Sequence, residues 1–355
     1  MRITFILPGP ATRPVGGVRT VYRLAMSLAA RGHRLTIVHP VAWLGTEQHL
    51  GRLHRLASWA KHAALRDFTP RRWLPAAPNL RLRLVPYLSP RWIGTADATI
   101  VTGWRAMGLV AGLPASAGRR FAYVQHLEEW DGGRDAVLEA WRLPIEKIAI
   151  SRWLRRELEA HGQEAEVVPN GVDHDLFFIE GAPEQRPGPT VAFPAHALTW
   201  KGTAVALAAL ERLRAAIPTL TVEAFAPEPL PLPPWISLSV NPRPALLRAL
   251  YNRAQVFLAP SFSEGWDLPP CEAMACGAAL VASAIPVREE YAEDGRNALL
   301  VPPGDAGAAA QAIRRLLDDD ALRHQLARAG QARVSGLTWE RSAALFEDVL
   351  SRPAA

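Results

Sequence analysis

The sequence predicts an α/β protein built from two doubly wound domains, and three observations carry that reading. The 355 residues are more than one domain usually needs and suit two of about 100 to 200 each. Short apolar runs of strand type alternate with segments of helical period in both halves, the pattern of parallel sheets covered by helices. Between the halves lies a polar stretch rich in Pro and Gly, IEGAPEQRPGP at 179–189, which reads as a linker. Hydrophobic residues make up 49% and charged residues 21% of the chain, enough apolar surface for two sizeable cores.

Taken in order, ITFIL is the first strand, turning at Pro8 into a loop that reaches Gly16-Gly17. Val18, Val21, Leu24, Ala25 and Leu28 repeat at helical spacing, Gly32 stops the helix, and RLTIVHP is the next strand. A glycine pair at the carboxyl edge of a first strand lets backbone approach a ligand closely, although turns use glycine too. From Leu53 to Trp92 helical fragments are cut by Pro70, Pro75, Pro78, Pro86 and Pro90, and variable structure is expected. ATIVTG is a strand, MGLVAGL a helix, and RFAYVQH a strand with Gln125 and His126 at its carboxyl end. His126 there is equally a ligand contact or a strand-end histidine bonded to a neighbouring carboxylate. KIAIS and RWLRRELEAHG give a strand and an amphipathic helix capped by Ser151, and Asn170-Gly171 signals a turn. Beyond the linker come the strand TVAFPAHA, the loop LTWKG, a helix from about Thr203 to Ala216 and the strand TLTVEAFAP. Strand, helix and strand follow across ISLSVNPRPALLRALYNRAQVFLAPS, and a helical tail ends in LTWERSAALFEDVLS.

The most informative stretch is SFSEGWDLPPCEAMACGAALVASA, from Ser261 to Ala284. A polar loop holding Glu264 leads into a helix that opens at Pro269-Pro270, carries Glu272 and stops at Gly277 in the left-handed conformation. Free amides before a helix bind anions, phosphate above all. Two carboxylates eight residues apart around such a start fit a ligand with a phosphate middle and hydroxylated ends, a sugar nucleotide. The spacing alone fits equally well a capped surface helix with acidic residues favoured by its dipole.

Glu264-Gly265, Leu268-Pro269-Pro270, Glu272-Ala273-Met274-Ala275, Gly277 and the run LVAS, in that order, resemble the E-x7-E signature of the family 4 glycosyltransferases, retaining enzymes of GT-B fold. GGVRTVYRLAMSLAARGHRLTIV resembles that family's opening, and YVQHLEEW the segment in which a residue, often His, contacts the donor sugar. The resemblance implies two Rossmann-like doubly wound domains facing a central cleft. Residues 1–176 would bind acceptor, 177–336 would bind donor, and 337–355 would form a helix crossing back to the first domain. It implies a nucleoside-diphosphate sugar as donor substrate, a sugar, lipid-linked or small-molecule acceptor, and neither cofactor nor metal. Carried over residue by residue, Glu264, Lys201 and His126 would be catalytic. Gly16, Gly17, His196, Lys201, Gly265, Trp266, Asp267, Leu268 and Glu272 would bind donor, with Glu264 on sugar hydroxyls, Glu272 on ribose, and the base near Ser239 to Arg243. Whether Gln125 or His126 meets the sugar stays open. The family's Lys-Gly appears as Lys201-Gly202, but His196 stands where its arginine is expected, so half of the cationic clamp is a side chain whose charge near neutral pH is conditional. Trp266-Asp267 replaces a common aromatic-Gly pair, and Asp267 is expected to face a sugar hydroxyl and tune donor choice.

Charge and cysteine content narrow the alternatives. Residues 1–175 hold 24 Lys and Arg against 15 Asp and Glu, whereas 176–355 hold 16 against 19. The excess concentrates between Arg52 and Arg91, where Arg, Trp and Leu mix, so peripheral contact with an anionic membrane face is one expectation and a solvated helix face the plainer one. Cys271 and Cys276, the only cysteines, lack histidine partners at ligand spacing and read as core residues of a reducing compartment. The opening apolar run is too short for a signal peptide and no run reaches membrane-span length, which predicts a cytoplasmic protein. The rival readings are a non-catalytic membrane or nucleic-acid binder, which leaves Glu264 and Glu272 unexplained, and a dinucleotide oxidoreductase, against which the first loop reads GPATRPVGG without G-x-G-x-x-G. No nucleic-acid partner is expected.

Overall fold

A computed structural model describes residues 1–10, 16–44, 51–65 and 77–353, with the backbone alone at Arg52. The chain forms two compact units, one of Met1–Asn170 with Trp339–Ala355 and one of Gly171–Thr338. The divisions fall after Asn170 and after Thr338, where the sequence suggested 176 and 336. Backbone pairing accounts for the shift: the Val172 amide donates to the Leu337 carbonyl at 2.9 Å, so both connecting segments are tied into the second unit.

In the first unit the described strands are β1 (Arg2–Ile6), β2 (Arg34–Pro40), β3 (Leu80–Val85), β4 (Ala98–Val101), β5 (Arg119–Val124), β6 (Glu146–Ala149) and β7 (Glu166–Val167). They pair in parallel in the order β3-β2-β1-β4-β5-β6-β7. The order reverses between β1 and β4, which opens the crevice beyond their carboxyl ends. The helix Gly16–Ala30 buries Val18, Val21, Leu24, Ala25 and Leu28, the residues at helical spacing, on this sheet. The last helix, Trp339–Ser351, joins the same core. Its fully buried Phe346 ring lies 5.8 Å from Phe5 and 5.5 Å, edge-on, from Tyr123.

In the second unit β8 (Thr190–Pro194), β9 (Thr221–Ala226), β10 (Ile236–Val240), β11 (Val256–Ala259), β12 (Ala279–Ser283) and β13 (Leu299–Val301) pair in parallel in the order β10-β9-β8-β11-β12-β13. Its reversal lies between β8 and β11. The loops that follow those two strands carry Lys201 and Glu264, so the topology itself brings them to one crevice.

Two sequence expectations change. The strand β3 stands in the region read as helical fragments cut by prolines, where variable structure is expected; its LRLRLV alternates Leu with Arg, the period of a strand with one polar face. Asn170-Gly171 is not a turn: Asn170 is 2% exposed, accepts from the Tyr123 hydroxyl at 3.2 Å and donates to Thr20 at 3.5 Å. Satisfying a buried amide outweighs the local turn preference. Of the basic stretch, the helix Arg52–Leu65 is described and exposes Leu53, Leu56 and Leu65, while residues 66–76 lie outside the described residues. Among the described residues no helix is long and apolar enough to cross a membrane.

Candidate functional site

The second unit's crevice is assembled by a close approach of two loops. After β8 the turn Thr199–Lys201 ends at Gly202, whose φ is 71°. A Cβ on Gly202 would stand 2.1 Å from the Pro260 carbonyl oxygen at the end of β11, so only glycine fits. The Phe262 amide donates to the Trp200 carbonyl at 2.7 Å and locks the loops together. The Lys201 ammonium consequently donates to both Glu264 oxygens, at 2.8 and 2.9 Å. Glu264 is 7% exposed on its side chain and Lys201 32%, so the carboxylate is buried and its cation reaches the crevice.

The helix after Glu264 runs Leu268–Ala275. It ends in a Schellman motif: Gly277, at φ 77°, donates to Met274 at 2.9 Å and Ala278 to Ala273 at 3.0 Å, the left-handed stop expected at Gly277. Its first turn offers fewer amides than a helix start usually does, because Pro269 and Pro270 have none; the amide of Leu268 remains, without an intrahelical acceptor. Glu272, 3% exposed, accepts from the Tyr251 hydroxyl at 3.2 Å.

Asp267 departs from the role expected of it. Its carboxylate turns inward to Arg288 Nη1 at 2.6 Å, with side chains 5% and 1% exposed. Arg288 also donates to the Tyr291 hydroxyl, to the Ser283 carbonyl at 3.3 Å and to the Ala259 carbonyl at 3.4 Å, which pins the loop to β11 and β12. Burial and the Glu264 charge push the Asp267 carboxyl upward, while Arg288 and Lys201 pull it back. Asp267 itself adopts φ 74°, a left-handed conformation that costs an aspartate on the order of 1 kcal/mol and persists because this ion pair holds it. Trp266 is likewise an anchor, 3% exposed with its ring 6.3 Å from that of Tyr291, and Gly265 is buried between it and Glu264.

His196 sits at the end of β8 and its Nδ1 accepts from the Leu198 amide at 3.0 Å, which leaves Nε2 as the protonated nitrogen of the neutral ring. Burial and the neighbouring Lys201 lower its pKa, against a weaker upward pull from Glu228. At neutral pH His196 thus supplies a donor but no charge, and Lys201 supplies the cation.

In the first unit Gly16 and Gly17 begin the helix Gly16–Ala30. Among the described residues a Cβ on Gly16 would meet no atom within 4 Å, and one on Gly17 would stand 3.4 Å from Gln125 Oε1. Neither is at positive φ, so nothing in the described protein demands glycine at Gly16. Gln125 therefore faces Gly17. His126, next along the chain, goes elsewhere: its ring packs edge-on to Trp130 at 4.5 Å and to Trp153 at 6.2 Å, and its Nδ1 accepts from the Leu127 amide at 2.8 Å. Glu128 follows at φ 50°, accepts from the Trp104 amide at 3.1 Å, and is pushed by burial up to about 7. A strained carboxyl titrating near neutrality at the carboxyl edge of a sheet is a functional-site mark that motif reading passed over. Tyr251 and Arg288 were passed over as site residues too, each lying 21 residues from the carboxylate it serves.

Two parallel Rossmann-like sheets with their loops at the switch points define the GT-B architecture. Among solved structures, Anabaena HepE in complex with UDP-glucose shares the fold at TM-score 0.74 and 16% identity, covering 99% of this chain and 100% of that one. Sucrose-phosphate synthase from Thermosynechococcus elongatus does so at 0.73 and 17%, covering 98% of each chain. Residues 14–176 match the family model described as Glycosyltransferase Family 4, and residues 240–333 the model of Glycosyl transferases group 1. Both matches support a glycosyltransferase of the family 4 type. The phosphatidyl-myo-inositol mannosyltransferase of Mycolicibacterium smegmatis is 32% identical over 210 residues, 55% of this chain. A D-inositol 3-phosphate glycosyltransferase of Arthrobacter is 35% identical over 99 residues, 28% of this chain and 24% of its own. The chain spans about half the length of the mannosyltransferase, 54%.

Proposed function

We propose that this protein moves a sugar from a nucleoside-diphosphate sugar to a hydroxyl acceptor with retention of anomeric configuration. The observation that carries the reading is the pair Lys201 and Glu264 at the switch point of the second sheet, with Glu272 buried on the helix that follows. An ammonium has three N–H directions and Glu264 takes two, so the third is available to a diphosphate oxygen. Lys201, the Leu268 amide and the Nε2–H of His196 would stabilise the negative charge that grows on the leaving diphosphate. That set assigns the neutralisation to protein groups and asks for no metal. Glu264, with lone pairs to spare, would accept from sugar hydroxyls, and Glu272 from the ribose.

In this mechanism the bond from the anomeric carbon to the diphosphate oxygen breaks first. The acceptor oxygen bonds to that carbon on the same face, and its proton passes to a leaving phosphate oxygen. Glu264 is not a nucleophile in this scheme. A pair of carboxylates flanking the bond, as in glycoside hydrolases, is not called on, since Glu272 is assigned to the ribose. Gly16, which packing among the described residues does not require, and Gln125 would border the acceptor. The names of the curated relatives make an inositol-type polyol the first acceptor to try, ahead of glycan and lipid-linked alcohols. Peripheral membrane contact would use the leucines exposed on Arg52–Leu65.

The test is a thermal-shift screen across nucleotide sugars, followed by transfer assays and NMR of the product anomer. A stabilising donor whose anomeric configuration persists in the product supports the reading. An inverted product would overturn retention, and undiminished transfer by both Lys201→Ala and Glu264→Ala would overturn the site.

A further inference from the structure

The carboxyl edges of the sheets account for the family-type chemistry, but the opposite edge of the first sheet carries a feature that chemistry does not use. A cavity of about 420 Å³ opens where β1, β2 and β3 begin, within the range of small-ligand sites. Strand register builds it. Arg2 pairs with Arg34, Thr4 with Thr36, and Thr36 with Arg81. Because side chains alternate along a strand, these residues share one face, while Ile3, Phe5, Leu35 and Ile37 are buried from the other. Adjacent strands lie about 4.8 Å apart, close enough for their guanidinium groups to reach one anion.

The charge balance at this edge is uneven. Arg2 is committed: its Nη2 and Nε donate to Asp97 Oδ1 at 2.7 and 3.2 Å, and its backbone amide to Oδ2 at 2.7 Å. Asp97 is thereby consumed, and its carboxyl is held below the usual carboxylate range by those Arg2 bonds. Arg34 and Arg81, both exposed, have no carboxylate partner among the described residues. Two guanidinium groups with no counter-charge among the described residues therefore face a cavity also lined by Thr4, Thr36 and Thr95. Guanidinium forks match phosphate oxygens in pairs, and threonine hydroxyls supply the neutral donors that complete such a site.

We propose that the amino edge of the first sheet is a second anion site, taking the phosphate of a phosphate mono- or diester through Arg34 and Arg81. Such a site lies at the other end of the strands from the loops that hold the glycine pair, so its ligand would be an effector or an anchor and not the donor. The shared chemistry is found both in soluble phosphate esters and in anionic lipid headgroups, and the experiment separates the two.

Inorganic pyrophosphate is titrated calorimetrically at low ionic strength into Lys201→Ala, which lacks the cation of the other phosphate site, and into the same variant carrying Arg34→Ala and Arg81→Ala. The expected result is at least about a tenfold loss of affinity on removing the two arginines. A charge control, Arg142→Ala with Arg296→Ala, should leave affinity within about twofold. Should Lys201→Ala fail to fold, the wild-type chain is fitted with two classes of site and the arginine variant must lose one. In parallel, Arg34→Ala/Arg81→Ala and the wild type are sedimented with phosphatidylglycerol and phosphatidylcholine vesicles. Loss in the pyrophosphate arm assigns a soluble phosphate ligand, and loss confined to phosphatidylglycerol vesicles assigns a headgroup. No loss in either arm, or an equal loss in the charge control, overturns the proposal.

Discussion

The two units place their glycines and charges at the same kind of crevice but hold them in opposite ways. In the second unit every acidic group near the switch point has an internal partner: Glu264 has Lys201, Glu272 has Tyr251 and Asp267 has Arg288. In the first unit Gly16 answers to no described neighbour and Gln125 merely approaches Gly17. The contrast teaches that one crevice is preorganised by buried polar bonds, which fix oxygen positions in advance, while at the other the described residues leave Gly16 without a packing neighbour. Preorganised charge is what stabilising a leaving diphosphate requires.

The largest effect should come from breaking the preorganised side. Lys201→Ala leaves the buried Glu264 carboxylate unpaired and should lower transfer by about 100-fold or more, read as kcat with a saturating donor. Retained kcat would show that the pair is merely structural. Next, Arg288→Met alone should destabilise the second unit by about 3–5 kcal/mol, because it strands Asp267, whereas Arg288→Met with Asp267→Asn should recover most of the loss. Denaturant unfolding measures both, and equal losses in the single and double variants would contradict the assignment of Asp267 as an anchor. The same variants sharpen the question of donor choice: a positioning residue lowers all donors alike, and a residue on the sugar reorders them.

A third experiment uses pH in the first unit. His39 is fully buried, its Nδ1 bonded to the Gly9 carbonyl at 3.1 Å and its Nε2 to the Tyr22 hydroxyl at 2.6 Å, and burial lowers its pKa to about 4. The unfolded chain binds a proton near pH 6.5 where the folded one does not, so the stability due to His39 is complete above about 6.5 and falls as pH drops toward 4. The full loss is about 3 kcal/mol. His39→Gln should flatten that slope in denaturation curves taken at pH 4.5 and 7; an unchanged slope would sink the assignment. The smallest effect tests the open side. Gly16→Ala should raise stability by up to about 1 kcal/mol, as alanine favours a helix, yet lower transfer if a ligand passes there. Undiminished transfer with raised stability would remove Gly16 from the acceptor site.

Much of this was legible in the residues. The stop at Gly277 followed from the left-handed preference of glycine, and RLTIVHP is the whole of β2. What escaped was long-range. Arg288 sits in VREEY, a surface-like string, and only the fold sends it beneath the Glu264 loop. Asp267 read as a ligand contact because its partner could not be seen, and the inward turn depends on a backbone conformation that aspartate rarely shows. Gln125 and His126 could not be told apart by sequence, since neighbouring residues at a strand end point opposite ways and the register decides which meets the glycines.

The last helix, Trp339–Ser351, packs Phe346 between Phe5 and Tyr123. During synthesis, then, the first unit leaves the ribosome early and completes its core only once Phe346 is made, whereas Gly171–Thr338 has all its parts in one run. A chain stopped at Thr338 should show the second sheet protected from hydrogen exchange and the first one open, and equal protection of both would show that Phe346 is dispensable.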